Sequence, residues 1–347
     1  MSNSVSRRAW LKTGLLGLGG IPFLPNLGYG KGFSLPILLN EKVVYTPLFK
    51  EFIAEETTVE LKAKLNANEN PYGPSPKSMA AVKDAVSAGN RYGWKNLSTL
   101  VDQISVKEGV PKEYIMMGPG SSDLLEKIAL VLFMNGGEVL SANPSYMSLM
   151  NVAQAVGATW KGVPLKDDWS HDLDAMEAAV TSDTKLVYIC NPNNPTGTLT
   201  SYQALYNFCA RVSEKVPVFI DEAYLDFVTG EDGQSMVSLL QAGKNVIIAR
   251  TFSKIHGMAG LRIGYVAALP ETLSVIQKIT RGGMGIANTS IHAAVTSMND
   301  ADFLARSKEL NKVSRDYTFK KLKSMGFDPV PSFTSFMIFP LENIEGK

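Results

Sequence analysis

Cysteine and histidine are scarce in this chain, with two of the first and three of the second among 347 residues, and net charge is close to absent at +1. Two thiols cannot frame a disulfide scaffold for a chain of this length, and no Cys/His spacing suits zinc. Cys190 falls in an apolar strand-like run and Cys209 in a helix-like segment, so both read as core packing. His171, His256 and His292 are scattered, with no acid or thiol at triad-like spacing, and read as structural or surface residues. Balanced charge, without basic runs interleaved with aromatics, argues against nucleic acid as a partner. Internal repeats and low-complexity tracts are also missing, and beyond the N-terminal segment no run is long and apolar enough to cross a membrane. What is present is a composition ordinary for a soluble globular protein, 45% apolar and 19% charged. The length allows roughly two domains and a large core.

The first 30 residues stand apart. Ser6-Arg7-Arg8-Ala9-Trp10-Leu11-Lys12 precedes a short apolar, glycine-rich run from Thr13 to about Leu24, then Pro25 and Gly28. A charged head and a short apolar stretch form a secretory pattern, and the paired arginines followed by Trp10, Leu11 and Lys12 resemble a twin-arginine export signal. A basic amphipathic anchor is the plainer alternative, weakened by glycines at 14, 17, 19 and 20. The expectation is an exported, periplasmic protein, or a cytoplasmic one if the signal is not used. Residues 31–64 read as a connector, or part of a small domain, with a short helix near Leu48 to Ala54.

From Leu65 apolar strands alternate with helix-length segments. The strand candidates are Tyr114–Met117, Glu138–Leu140, Lys185–Cys190, Val216–Ile220, Asn245–Ala249 and Tyr265–Ala268, with helices near 123–135, 145–156, 201–214 and 271–281. Uninterrupted apolar strands spaced by helices predict an α/β fold with a mostly parallel sheet covered on both faces. Residues 65–300 make this large domain. Residues 301–347 begin a smaller α+β domain, with a long charged helix over 301–325 and a strand layer from Phe327 to Phe339.

Four motifs sit where such sheets bind ligands, just beyond the carboxyl ends of strands. Gly118-Pro119-Gly120-Ser121-Ser122-Asp123 opens a helix and offers free N–H groups and hydroxyls to an anion, although an ordinary helix cap explains it equally well. Asn191-Pro192-Asn193-Asn194-Pro195-Thr196-Gly197 is a rigid turn carrying amide donors. Asp221-Glu222-Ala223-Tyr224 ends a strand with a carboxylate able to keep a pyridinium nitrogen protonated, and with a tyrosine able to donate to a ring oxygen. Glu222 is the alternative functional acid, although by strand alternation it points to the face opposite Asp221. Last comes Arg250-Thr251-Phe252-Ser253-Lys254, with Arg262 eight residues after the lysine. A lysine there can condense with an aldehyde once burial or a nearby cation frees its amine, while the hydroxyls and Arg262 can hold a phosphate. Together these describe a seat for pyridoxal phosphate.

In order and spacing the segments resemble the fold-type I pyridoxal-phosphate aminotransferases of class I/II. They are most similar to the histidinol-phosphate aminotransferase branch, whose opening segment Leu65-Asn66-Ala67-Asn68-Glu69-Asn70-Pro71-Tyr72-Gly73-Pro74 matches closely. The resemblance runs from about Leu65 to Phe339. It implies that Lys254 joins the cofactor aldehyde and later shuttles the substrate Cα proton. It further implies that Asp221 binds the pyridine nitrogen, and that Asn194 and Tyr224 bond the phenolic oxygen. Ser121, Ser122, Thr251, Ser253 and Arg262 would hold the phosphate, and Tyr146 would stack on the ring. Tyr92 would reach the phosphate of a neighbouring subunit, which makes a homodimer the expected assembly. The implied reaction moves an amino group between an amino acid, or amino-alcohol phosphate, and a 2-oxo acid.

Three departures stand out. Ser122-Asp123 replaces the family's Asp-Glu pair. Arg281-Gly282-Gly283-Met284-Gly285-Ile286 replaces a proline-aromatic-asparagine run near the substrate. The family's small domain, with an arginine that grips the substrate carboxylate, extends past Phe339, so that domain is expected to be incomplete here. The rival readings are a lyase or decarboxylase on the same scaffold and a catalytically idle relative that binds the cofactor.

Overall fold

The computed structural model describes residues 37–39, 42–44, 64–280 and 282–341. The signal-like segment, the possible helix at 48–54 and Arg281 therefore lie outside the described residues. The chain divides into two units, residues 1–63 and 64–347. Within the first, β1 (Ile37–Leu39) and β2 (Lys42–Val44) pair as an antiparallel hairpin.

The second unit is built on a sheet of seven strands: β3 (Ile115–Gly118), β4 (Glu138–Asn143), β5 (Thr159–Pro164), β6 (Thr184–Cys190), β7 (Val218–Asp221), β8 (Val246–Thr251) and β9 (Gly264–Ala268). Their spatial order is β3-β9-β8-β7-β6-β4-β5. Strands β5, β4, β6, β7 and β8 are parallel, whereas β9 pairs antiparallel with both β8 and β3. The predicted architecture is thus observed: a mostly parallel sheet with helices on both faces.

The apolar runs read as strands because they are buried on both sides. Alternation along the chain sends Val187, Ile189, Val218, Ile220, Val246 and Ile248 into one core, with the helices Trp94–Glu108, Leu173–Ala179, Tyr202–Val212 and Asn288–Met298. The other core takes Leu186, Tyr188, Cys190, Phe219, Ile247 and Ala249 against the helices Ser121–Phe133 and Ser148–Ala155. Both cysteines are free and buried. His171 and His256 are buried as well, and His292 bonds Asn96 at 2.7 Å, so all three are structural.

Two elements differ from expectation. Strand β5 is legible only in three dimensions: it is the sheet edge, its exposed residues are Thr159, Gly162 and Pro164, and nothing in its pattern signals burial. The segment from Phe327 to Phe339 contains no strand, although the long helix before it, Ala301–Ser324, forms as predicted. Its hydroxyls compete with strand pairing. Thr334 Oγ1 bonds both the carbonyl and the N–H of Phe336, and Ser332 Oγ bonds the same carbonyl. The segment docks on the 191–197 turn instead, Phe333 N–H donating to the Gly197 carbonyl at 2.8 Å.

Candidate active site

A cleft of about 620 Å³ opens at the carboxyl ends of β3, β6, β7 and β8, and it gathers the four motifs. Ser121, Ser122, Tyr146, Asn194, Asp221, Tyr224, Thr251, Ser253, Lys254 and Arg262 all line it. Asn66, Ala67, Asn68 and Glu69 from the opening segment close one wall.

One end of the cleft is built for an anion. Ser121 and Ser122 begin a 13-residue helix whose first N–H groups have no intrahelical partner. Gly120 turns the chain into that helix with φ 91° and leaves room for Arg262, since a Cβ there would lie 2.3 Å from the guanidinium. Arg262 is itself held by Ala259, whose carbonyl accepts from Nη1 at 3.1 Å. No carboxylate lies within ion-pair distance of Arg262 among the described residues. Thr251 Oγ1 accepts from Ser253 N–H at 3.0 Å and shapes the turn that carries Lys254. Gly264 lets β9 pass this corner, because a Cβ would sit 2.6 Å from the Ser121 nitrogen.

Lys254 Nζ donates to the carbonyls of Asn68 and Ala67 at 3.2 and 3.4 Å and lies 5.2 Å from the centre of the Tyr224 ring. Burial lowers its proton affinity and Arg262 adds to that, while Asp221 and Glu69 oppose. Asp221 closes β7 at the base of the cleft. Tyr188 donates to its Oδ2 at 3.0 Å and the Ala223 N–H to its Oδ1 at 3.1 Å. Burial raises the Asp221 carboxyl above its ordinary value, opposed by these two bonds and by Lys254. Tyr224 accepts from Asn68 Nδ2 at 3.3 Å, and burial raises its phenol.

The 191–197 turn takes its shape from its other asparagines. Asn191 exchanges two bonds with the Thr200 backbone, at 2.8 and 3.1 Å. Asn193 is bound by Pro144, Ser145 and Thr196. Asn194 is the one left facing the cleft. On the neighbouring wall Tyr146 and Ser122 approach to 3.5 Å between hydroxyls.

A phosphate-sized anion seat, an amine with weakened proton affinity and a buried carboxylate therefore share one cleft, and the Gly120 turn leaves the guanidinium facing the helix N-terminus. This donor set fits pyridoxal phosphate. Over residues 61–344 the chain matches the family described as aminotransferase class I and II. The chain belongs to that family.

This aminotransferase is 36% identical to a histidinol-phosphate aminotransferase of Moorella thermoacetica over 84% of this chain and 75% of that one. It is 35% identical to histidinol-phosphate aminotransferase 1 of Cupriavidus pinatubonensis over 92% and 82%. Among solved structures it is similar to the histidinol-phosphate aminotransferase of Sinorhizobium meliloti in complex with pyridoxal-5'-phosphate, with a TM-score of 0.78, 27% identity, and coverage of 91% and 82%. The aminotransferase is closely related to that branch, has the fold-type I architecture and depends on pyridoxal phosphate.

Two sequence candidates lie outside the cleft. Tyr92 is 76% exposed and leans on Trp94 with ring centres 5.4 Å apart, so it does not line the cleft of its own chain. Glu222 faces away from Asp221, as alternation requires, and is bound by Arg250 at 3.0 Å, Ser235 at 2.7 Å and the Met236 N–H at 2.7 Å. Arg250 also reaches Asp226 at 2.7 Å. Sequence reasoning missed Tyr188, the partner of Asp221, and the wall residues Asn68, Glu69 and Cys190. Tyr188 had a signal, since it lies two residues before Cys190 and so on the face that meets Asp221.

Proposed function

We propose that the aminotransferase transfers the amino group of an amino acid or amino-alcohol phosphate to a 2-oxo acid, with Lys254 as its proton carrier. The observation that carries this reading is the Lys254 amine, held by two backbone carbonyls between the Asp221 carboxylate and the Arg262 anion seat. Bound pyridoxal phosphate supplies an electron sink for the pair released when the substrate Cα proton leaves. Ser121, Ser122, Thr251, Ser253, Arg262 and the helix N-terminus would hold its phosphate. Asp221 would accept a hydrogen bond from its ring nitrogen, Asn194 and Tyr224 would bond its phenolic oxygen, and Tyr146 would cover one ring face. Lys254 Nζ then takes the Cα proton and returns it, a role suited to an amine whose proton affinity burial has lowered.

The names of the relatives support a phosphorylated amino alcohol as donor. The run from Gly282 to Gly285 is a short 3₁₀ turn in place of the branch's proline-aromatic-asparagine pattern, and it is the position where donor choice would diverge. Tyr92, exposed beside Trp94, would serve the phosphate of a second copy in a homodimer. Arg7 and Arg8 support export of the folded, loaded enzyme by a twin-arginine route, and periplasmic residence makes a cytoplasmic biosynthetic task a poor fit. No helix among the described residues is long and apolar enough to cross a membrane.

A half-reaction screen tests the activity: holoprotein is mixed with single amino donors while loss of the cofactor's visible band is followed. Failure of every amino acid and amino-alcohol phosphate to bleach it would remove the reading. Replacing Arg7 and Arg8 with lysine is expected to abolish periplasmic recovery, and unchanged recovery would remove export. Mixed dimers of Tyr92→Phe and Lys254→Ala chains test the shared site. If the partner subunit supplies Tyr92, one half-site of each mixed dimer carries both changes and the other carries neither; if not, each carries one.

A further inference from the structure

Asp221 has a partner that the reading of its role does not explain. Parallel pairing places Tyr188 beside Phe219 and Cys190 beside Asp221. The Tyr188 ring stacks on Phe219, with centres 5.6 Å apart and planes 25° off parallel, and its hydroxyl extends to Asp221 Oδ2 at 3.0 Å. Tyr188 is fully buried and Asp221 is 3% exposed. A phenol placed in a core needs a polar partner, and this one is given to the carboxylate. The second carboxylate oxygen is taken by the Ala223 N–H at 3.1 Å. Both oxygens are therefore pinned, which fixes the carboxylate plane while Asp221 still lines the cleft.

We propose that Tyr188 is a positioning residue that orients the Asp221 carboxylate toward the cofactor's ring nitrogen and keeps it a weak base there. The inference rests on the pyridoxal phosphate reading of the cleft. Asp221 sits where burial favours its neutral form, and the Tyr188 bond is the foremost influence opposing this. Of the groups around it, Cys190 on β6, Tyr188 and Tyr224 are neutral near pH 7, because burial raises all three; Lys254 supplies the nearby cation. A donor on Oδ2 lowers the carboxylate's appetite for a proton. The proton shared with a ring nitrogen then stays on nitrogen, where it strengthens the electron sink. Without the hydroxyl the same proton shifts toward Asp221, no bond being broken elsewhere.

The test uses holoenzyme loaded with pyridoxal phosphate labelled with ¹⁵N in the ring. In Tyr188→Phe, an almost isosteric change, the ring-nitrogen resonance is expected to move toward the neutral pyridine position. Cofactor affinity should fall too, by no more than about tenfold, because the Tyr188–Asp221 bond is lost from the empty protein as well as the loaded one. Phe219→Leu loosens the same stack but keeps the hydroxyl, so it should lower Tm and leave the resonance in place. Site-specific 3-fluorotyrosine at 188, a stronger donor, should move the resonance the opposite way, and it serves if Tyr188→Phe does not fold. Resonance and affinity unchanged in Tyr188→Phe, or equal shifts in Phe219→Leu, would overturn the proposal. Wild-type protein that takes up no pyridoxal phosphate would instead remove the cofactor reading itself.

Discussion

Gly120→Ala separates the backbone's contribution to the anion seat from that of its charges. At φ 91° and ψ 155°, residue 120 occupies a region open in practice to glycine alone. An added Cβ also meets Arg262 Nη2 at 2.3 Å and Cζ at 2.8 Å. The backbone strain is worth roughly 1–3 kcal/mol and cannot be relieved without remaking the turn. The clash is relieved more easily, because the guanidinium is the far end of a flexible side chain and swings out of the seat. Stability should therefore drop by about 1–3 kcal/mol, while the phosphate loses charge-assisted bonds worth about 1.5–3 kcal/mol. That second loss corresponds to a roughly 10- to 150-fold weaker affinity for pyridoxal phosphate. Thermal unfolding of the apoprotein reads the first effect, and titration with pyridoxal phosphate reads the second. Pyridoxal, which lacks the phosphate, is the control and should bind nearly as it does to wild type. An unchanged Tm with unchanged cofactor affinity would refute the reasoning, as would equal losses for both ligands.

Lys254→Met should fold normally and lose amino transfer by at least about 100-fold, the lower scale for a positioned acid–base group, in a donor half-reaction assay. Arg250→Met leaves the buried Glu222 carboxylate without its cation and Asp226 with only Lys107, 3.8 Å away; a loss of about 3–5 kcal/mol in denaturant unfolding is expected. Stability should also fall with acid. Burial depresses His171 and His256 from 6.5 to about 4, so between those values the unfolded chain binds more protons than the native one. Stability from this source is complete above pH 6.5 and is lost as pH falls toward about 4, by roughly 3 kcal/mol for each histidine. His171→Gln should flatten that slope in apoprotein melts across the window, and an unchanged slope would count against a buried neutral imidazole.

Much of the site was readable before any coordinates, because its chemistry sits on short contiguous motifs. An apolar strand buried on both faces ends abruptly, and the residues just past its carboxyl end must form a ligand loop, a turn or a helix start. Lys254, Asp221, Asn194 and Ser121 each occupy such a position, and each lines the cleft. The direction of Glu222 was also legible, since strand periodicity alone sends it to the face opposite Asp221. Edge strand β5 was not, because an edge needs no continuous apolar run. The Phe327–Phe339 strand layer was misread because local hydroxyl bonds to the backbone, made through Thr334 and Ser332, do not show in an alternating apolar pattern.

Tertiary structure alone decided what depends on two distant segments meeting. That Tyr188 caps Asp221, that Arg262 fills the space left by Gly120, and that Asn68 reaches Tyr224 are facts about register and approach across many residues of intervening chain. Local sequence specifies which strands and loops exist, through burial period and turn chemistry. Their partners are set by how the sheet orders its strands, and the fine adjustment of the buried carboxylate and amine depends on those partners.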